Sequence, residues 1–225
     1  MSELLVEPKK IVIPGEQLAT GMEYLPSFGT YRKDETIYAN MLGLVSVDGK
    51  VIKLIPVSGQ YIPRKGDTVI GRVFDILISG WRIDINCGNS AVLSLQEATS
   101  EFVERGADLT KYFDIDDYVV CQITNITSQK LIDVSMNGPG LRKLTKGRII
   151  SVTPYKVPRI IGKQGSMVSM IKDATDSKIV VGQNGLVWVY NDNPEMEFKA
   201  VEAIRMVDKN SHISGLTEKV QELLK

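Results

Sequence analysis

Histidine and cysteine are nearly absent from this chain, with one His and two Cys in 225 residues. That scarcity removes most metal and thiol chemistry. His212, Cys87 and Cys121 form no zinc-ligand spacing, and no nucleophile pattern surrounds His212. Two cysteines are too few to staple a disulfide-rich scaffold. Both fall in segments that read as strands. A bond between them is one reading; buried, reduced thiols of a cytoplasmic protein are the expectation. Long apolar runs are missing as well. None reaches the roughly 18 residues that a membrane-spanning helix needs, and the start, Met-Ser-Glu-Leu-Leu-Val-Glu-Pro-Lys-Lys, lacks the apolar stretch of a secretory leader. Net charge is lacking too, since 27 basic residues balance 27 acidic ones. For the chain as a whole this argues against a nucleic-acid partner. What is present, 43% hydrophobic and 24% charged residues, suits one to three small folded domains. Nothing implies a resident cofactor or metal.

The charges, however, are segregated. Between Leu141 and Lys172 stand Arg142, Lys143, Lys146, Arg148, Lys156, Arg159, Lys163 and Lys172, with no acidic residue among them. Between Glu97 and Asp117 the balance is acidic, and that stretch reads as a solvated linker helix or as a surface that repels RNA or meets a basic partner. Inside the basic run lies Arg159-Ile160-Ile161-Gly162-Lys163-Gln164-Gly165-Ser166. It reads as a short helix, a G-x-x-G turn and the start of a second helix, Ser166 to Ala174. Glycines at 162 and 165 permit positive φ and close backbone approach. A helix start with free amides, joined by Lys163, favours an anion such as a phosphodiester.

The surroundings give this turn its meaning. A strand is expected at Ile149–Val152, then the two helices, then strands Lys178–Val181 and Leu186–Tyr190 joined through Gly182-Gln183-Asn184-Gly185, then a helix from Pro194 to Asp208. The order β-α-α-β-β-α resembles a KH domain of type I, in which the G-x-x-G loop clamps the backbone of about four nucleotides. The resemblance implies that Gly162, Lys163, Gln164 and Gly165 hold phosphates, with Arg159 beside them. Ile160 and Ile161, with Ile179, would border the groove for bases. A last helix, Leu216–Leu224, closes the segment 138–225.

Two further segments precede it. Residues 61–137 suggest five short strands: Thr68–Ile76, Gly80–Ile85, Ala91–Leu95, Tyr118–Ile126 and Leu131–Met136. Such a set suits a small closed OB-fold barrel. Trp81, Ile83 and Ile85 alternate with Arg82 and Asp84, which makes Trp81 core rather than a stacking platform. The wording Gly-x-Val-x-x-Ile, Gly-x-x-Ile-Asp-Ile and Leu-Ser-Leu-x-Glu resembles the RNA-binding barrel named after the ribosomal S-one protein. Its usual aromatics and histidine are replaced here by Ser79, Arg82 and Ser94, so Arg82, Arg64, Lys65 and Arg72 are the expected RNA contacts. Residues 1–60 form a small β-domain, with strands at Ile11–Ile13, within Thr36–Val47 and at Val51–Val57, the last two joined by Asp48-Gly49. A domain this small should pack against a partner or the rest of the chain.

The fold class is therefore multidomain α+β, mainly β. A small β-domain opening with Ile-Pro-Gly-Glu, an S-one barrel and a single KH unit resemble the archaeal exosome RNA-binding cap subunits of the S-one/KH type, the ribosomal RNA-processing protein four family. The family's G-x-N-G, here Gly182, Asn184 and Gly185 around Gln183, is a structural turn packed near the barrel. The resemblance implies a non-catalytic role: three copies on a hexameric ring of RNase-PH-like subunits, admitting single-stranded RNA for 3′-to-5′ degradation. A stand-alone adapter of transcription or translation is the alternative. Nus-type factors carry two KH units, however, and polynucleotide phosphorylase places KH before the barrel. An enzyme using Asp114, Asp116 and Asp117 as a metal cluster is a further rival, in a segment that reads as a turn before a strand.

Overall fold

The computed structural model describes residues 2–99, 108–211 and 215–224. The chain divides into two compact units, residues 1–59 and 60–225. The first holds eight strands: β1 (Glu3–Leu4), β2 (Ile11–Val12), β3 (Gln17–Thr20), β4 (Leu25–Pro26), β5 (Thr30–Lys33), β6 (Thr36–Ala39), β7 (Gly43–Asp48) and β8 (Val51–Pro56). They form two four-stranded sheets, β1-β3-β6-β5 and β2-β7-β8-β4. Asp48 and Val51 are paired across the hairpin that Asp48-Gly49 turns. Alternation along β6, β7 and β8 sends Ile37, Ala39, Val45, Ile52 and Leu54 into a shared core with Val12 and Leu18. The strands β1, β3, β4 and β5 were not foreseen. They are too short for periodicity to register, and their partners rather than their residues define them.

The second unit begins with the barrel. Its strands are β9 (Thr68–Leu77), β10 (Gly80–Asp84), β11 (Ala91–Ser94), β12 (Tyr118–Ile126) and β13 (Ile132–Ser135). Antiparallel pairs run β11-β10-β9-β12-β13, and a parallel pairing of β11 with β13 closes the circle. This is the expected OB-fold. Val69, Val73, Trp81, Ile83, Leu93, Cys121 and Ile123 fill its interior. Trp81 is fully buried, donates from Nε1 to the Phe113 carbonyl at 3.0 Å and meets the Phe113 ring edge-on. It is core, as its alternation predicts. Both cysteines are free. Burial in β12 pushes the Cys121 thiol up to about 12, so it stays protonated and inert at neutral pH. Cys87 sits in a bend after β10, not in a strand, and its Sγ contacts the Asn89 carbonyl at 3.0 Å.

Of the acidic insert, the structure describes α1 (Leu95–Ala98) and a single 3-10 turn, Leu109–Lys111; the middle of the expected linker helix lies outside the described residues. Asp108 caps that turn by accepting from the Thr110 amide at 3.1 Å. A strand that the sequence reading missed, β14 (Arg142–Leu144), pairs with β12 beside the barrel.

The remaining elements are β15 (Arg148–Ser151), α2 (Val157–Ile161), α3 (Ser166–Thr175), β16 (Lys178–Val181), β17 (Leu186–Tyr190), α4 (Pro194–Lys209) and α5 (Leu216–Leu224). The sheet order is β15-β17-β16, all antiparallel. This is the expected β-α-α-β-β-α arrangement. Asn193 caps α4 by accepting from the Glu195 amide at 3.0 Å, with a proline opening the helix. One sheet face and the helices enclose Ile150, Val187, Val189, Ile171, Ala203 and Ile204. Leu216, Val220 and Leu224, spaced at four, seal α5 onto the same core.

Candidate nucleic-acid interface

The G-x-x-G loop is built from left-handed backbone. Helix α2 stops at Gly162 (φ 76°, ψ 174°), whose amide still donates to the Pro158 carbonyl at 3.0 Å. A Cβ at 162 would stand 2.6 Å from the Met167 amide nitrogen. Glycine is required there on two counts, the φ value and the close approach. Gln164 (φ 54°) and Gly165 (φ 80°) are also left-handed. Three of the four loop residues thus bend the chain so that α3 begins at Ser166 with no side chain capping its first amides and no acidic residue in its first turn. Lys163 and Gln164 are exposed, and Lys163 has no ion-pair partner among the described residues. The loop borders a cavity of about 450 Å³, shared with Pro158, Arg159, Met167 and the start of α5. Open amides, a helix start and one mobile ammonium make an anion site.

The neighbouring candidates divide. Arg159 is exposed and its Nε donates to the Ser211 carbonyl at 3.1 Å, which steers it along the cavity wall. Ile160 does not border a groove: it is fully buried in the helix–sheet core, and Ile179 is 4% exposed there. The period of a five-residue helix turns Ile160 inward and leaves Ile161 half-buried at the edge. The basic run is partly neutralised. Arg148 pairs with Glu197 at 3.1 Å, Lys156 with Asp208 at 3.8 Å, and Lys143 with Asp117. Its charge is therefore smaller at the surface than the sequence suggests.

On the barrel, Arg64 and Lys65 are exposed in the turn before β9. Arg82 projects from β10 with Nη1 3.8 Å from Asp75 Oδ2, both half exposed, a pair of little energetic weight. Arg72 lies 3.3 Å from Asp116. None of these four basic residues bonds to the G-x-x-G loop. The sequence reading also missed Phe74. The register of β9 against β10 slips between Arg82 and Ile83, leaving Phe74 at a bulge beside Asp75, with the residue 39% exposed. The barrel does carry an outward aromatic, on the strand before the one where it was sought. Alternation from Val69 through Val73 was the available signal. The triad Asp114, Asp116 and Asp117 is absorbed locally. Asp117 accepts from the Asp114 amide at 2.7 Å and pairs with Lys143, while Asp116 pairs with Arg72. No cluster of metal-ligating side chains occurs among the described residues.

Asn184 is fully buried. Its Nδ2 donates to the carbonyls of Ile70 (2.7 Å) and Ile85 (2.9 Å), and its Oδ1 accepts from the Ile70 amide at 3.3 Å. Its own carbonyl accepts from Asn86 Nδ2 at 3.2 Å, and the Gln183 amide donates to Thr68 at 2.9 Å. Gly182 must lack a side chain, because a Cβ would sit 2.4 Å from Asn184 Oδ1. The turn between β16 and β17 is therefore bonded into the barrel and is not free to hold a ligand.

Residues 11–48 match the family model described as the N-terminal region of exosome complex exonuclease RRP4, residues 60–125 that of the RRP4 S1 domain, and residues 147–206 the KH domain. The exosome complex component Rrp4 of Thermococcus kodakarensis is 41% identical over 100% of this chain and 88% of its own length. The chain belongs to the Rrp4 family. The Rrp4 component of Methanothermobacter thermautotrophicus is 42% identical over 98% of this chain and 70% of its own. A crystal structure titled as an exosome complex RNA-binding protein superposes with TM-score 0.68 and 30% identity, covering 74% of this chain and 95% of that one. The family assignment reached from the motifs agrees with these matches.

Replacing Asn184 by Ala leaves the Ile70 and Ile85 backbone groups buried without partners. The expected cost is roughly 2–4 kcal/mol, read as a lower urea midpoint for residues 60–225 within the full chain. A midpoint equal to wild type would show that the Asn184 side-chain bonds between barrel and KH turn carry no net stability.

Proposed function

We propose that this Rrp4-family chain is a non-catalytic cap subunit that grips single-stranded RNA through the G-x-x-G loop and feeds it to an exosome ring. The observation that carries this is the loop itself: left-handed backbone opening onto the uncapped start of α3, with Lys163 unpaired among the described residues. Such a site holds phosphates without reading sequence, which suits a degradation machine. Arg64, Lys65 and Arg82 extend the contact on the barrel, and Phe74 adds a ring face of the kind on which bases stack.

The remaining assignments follow the same reading. The unit of residues 1–59 docks on a hexameric ring of RNase-PH-like subunits. Supporting this, it exposes Ile11, Ile13, Met22, Leu25 and Ile55, more apolar surface than so small a unit needs to show solvent. Residues 61–137 form the barrel segment that lines the channel, and residues 138–225 the KH segment. Three copies around a pore raise the effective concentration of weak individual sites. The compartment is the cytoplasm; no helix among the described residues is long and apolar enough to cross a membrane.

Lys163→Asp combined with Gln164→Asp places acid in an exposed loop, so thermal stability should stay near wild type while affinity for single-stranded RNA falls at least several-fold. The salt dependence of binding should shrink by about 0.7 for each phosphate that the loop no longer neutralises. Unchanged affinity would remove the loop from the binding site. The purified chain should leave end-labelled RNA intact with inorganic phosphate or Mg²⁺ present; shortened products would overturn the non-catalytic reading. Native mass spectrometry of the protein drawn from its own cells should show about three copies on a six-membered ring. A free chain, or one bound to ribosomes or RNA polymerase, would favour the adapter reading instead.

A further inference from the structure

The KH sheet has a second face, turned away from its helices. There Trp188 is buried against Ile70, Val120 and Leu144 of the barrel side. Towards the rim the row continues outward. The rings of Trp188 and Tyr190 stack with centres 6.0 Å apart and planes at 14°. Arg142, from β14, holds its guanidinium 5.8 Å from the Trp188 ring centre, and Lys178, the first residue of β16, holds its ammonium 5.9 Å from that of Tyr190. Lys146 is tied in through its carbonyl, which accepts from the Trp188 indole nitrogen.

Arg142, Lys146 and Lys178 are exposed, and none has a carboxylate partner among the described residues. This sets them apart from Lys143 and Arg148, which are paired. Two acidic residues stand at the Lys178 end. Asp176 is two positions away in sequence, and Asp192 is engaged by the Tyr190 hydroxyl. Rings beneath a guanidinium and an ammonium limit their rotamers and leave their N–H groups facing outward. Cations held in place with unspent donors suit phosphate oxygens.

We propose that this row is a second phosphate track, on which single-stranded RNA held at the G-x-x-G loop continues beyond the far end of α3. The proposal rests on the reading of the G-x-x-G loop as an RNA site. Helix α3 runs ten residues away from that loop, about 15 Å at the usual rise. Strand β16 then returns beside it, so Lys178 stands at the end of α3 opposite the loop. A polyanion needs only spaced cations. A protein partner would need a desolvated anchor, and here Trp188 is already buried while the Tyr190 ring is engaged by Trp188 and Lys178.

The test compares Arg142→Gln with Lys178→Gln in the full chain against wild type. Fluorescence anisotropy is recorded across a salt series with a long oligouridylate and with a tetranucleotide. The long RNA should bind several-fold more weakly, with the salt slope smaller by about 1.4 for two phosphates no longer neutralised. The tetranucleotide should bind as wild type, and Arg142→Lys with Lys178→Arg should restore the slope. A thermal midpoint equal to wild type shows that the fold is intact. An unchanged slope with long RNA overturns the track. So does a variant that keeps RNA binding but no longer co-purifies with its complex, which makes the row a protein contact. If Lys163→Asp with Gln164→Asp weakens both RNAs and the row variant weakens neither, the track fails while the loop reading stands. If wild type holds neither RNA, both readings fail.

Discussion

One buried carboxamide determines how the two RNA-binding folds meet. Asn184 uses both amide hydrogens and its oxygen on backbone groups of Ile70 in β9 and of Ile85 just after β10, in a place that water does not reach. A buried amide is tolerated only when its donors and acceptor are satisfied, so the KH turn and the barrel edge must come together in one relation. Once they do, Ile70, Val120, Leu144 and Trp188 close a second small core between them. Polar bonds of this kind add orientation; the apolar contact beside them adds most of the free energy.

That union divides the KH unit by face. Its sheet meets the barrel and its helices lie on the other side, so the G-x-x-G loop stays open while the turn between β16 and β17 is closed. The loop is a modest site taken alone: among the described residues it has backbone amides, one lysine without an ion pair, a cavity and no aromatic platform beside it. The barrel adds scattered basic residues, several half neutralised by carboxylates. On the proposed reading, a weak, sequence-tolerant grip repeated in an assembly would suit a path along which RNA must keep moving, since tight binding at one point would hold the strand in place.

How much was legible can be traced residue by residue. The KH order and the barrel strands were readable because alternation and helical spacing persist over long enough windows. The turn at 182–185 and the G-x-x-G loop were readable because glycine pairs mark special backbone. The strands β1, β3, β4 and β5 of the first unit were not, since two to four residues without clear alternation give no period to read. Nor was β14, whose sequence Arg-Lys-Leu looks like surface until β12 offers it an edge. Ile160 was misplaced because a helix of five residues does not reveal from sequence which side faces the core. Phe74 was overlooked although alternation from Val69 through Val73 turns it outward, because an aromatic was expected only on the next strand.

The sequence by itself determined the order of folds and the positions of the special turns, because those depend on local backbone preference and periodicity; its motifs carried the resemblance to the family. Only the tertiary structure decided which charges remain free. Arg148, Lys156 and Lys143 look like an RNA surface in one dimension but meet Glu197, Asp208 and Asp117 from distant parts of the chain. Arg142 and Lys178, 36 positions apart in the numbering, are brought to one aromatic row. Electrostatics acts through space, and the pairing of a charge is fixed by neighbours that linear spacing does not specify.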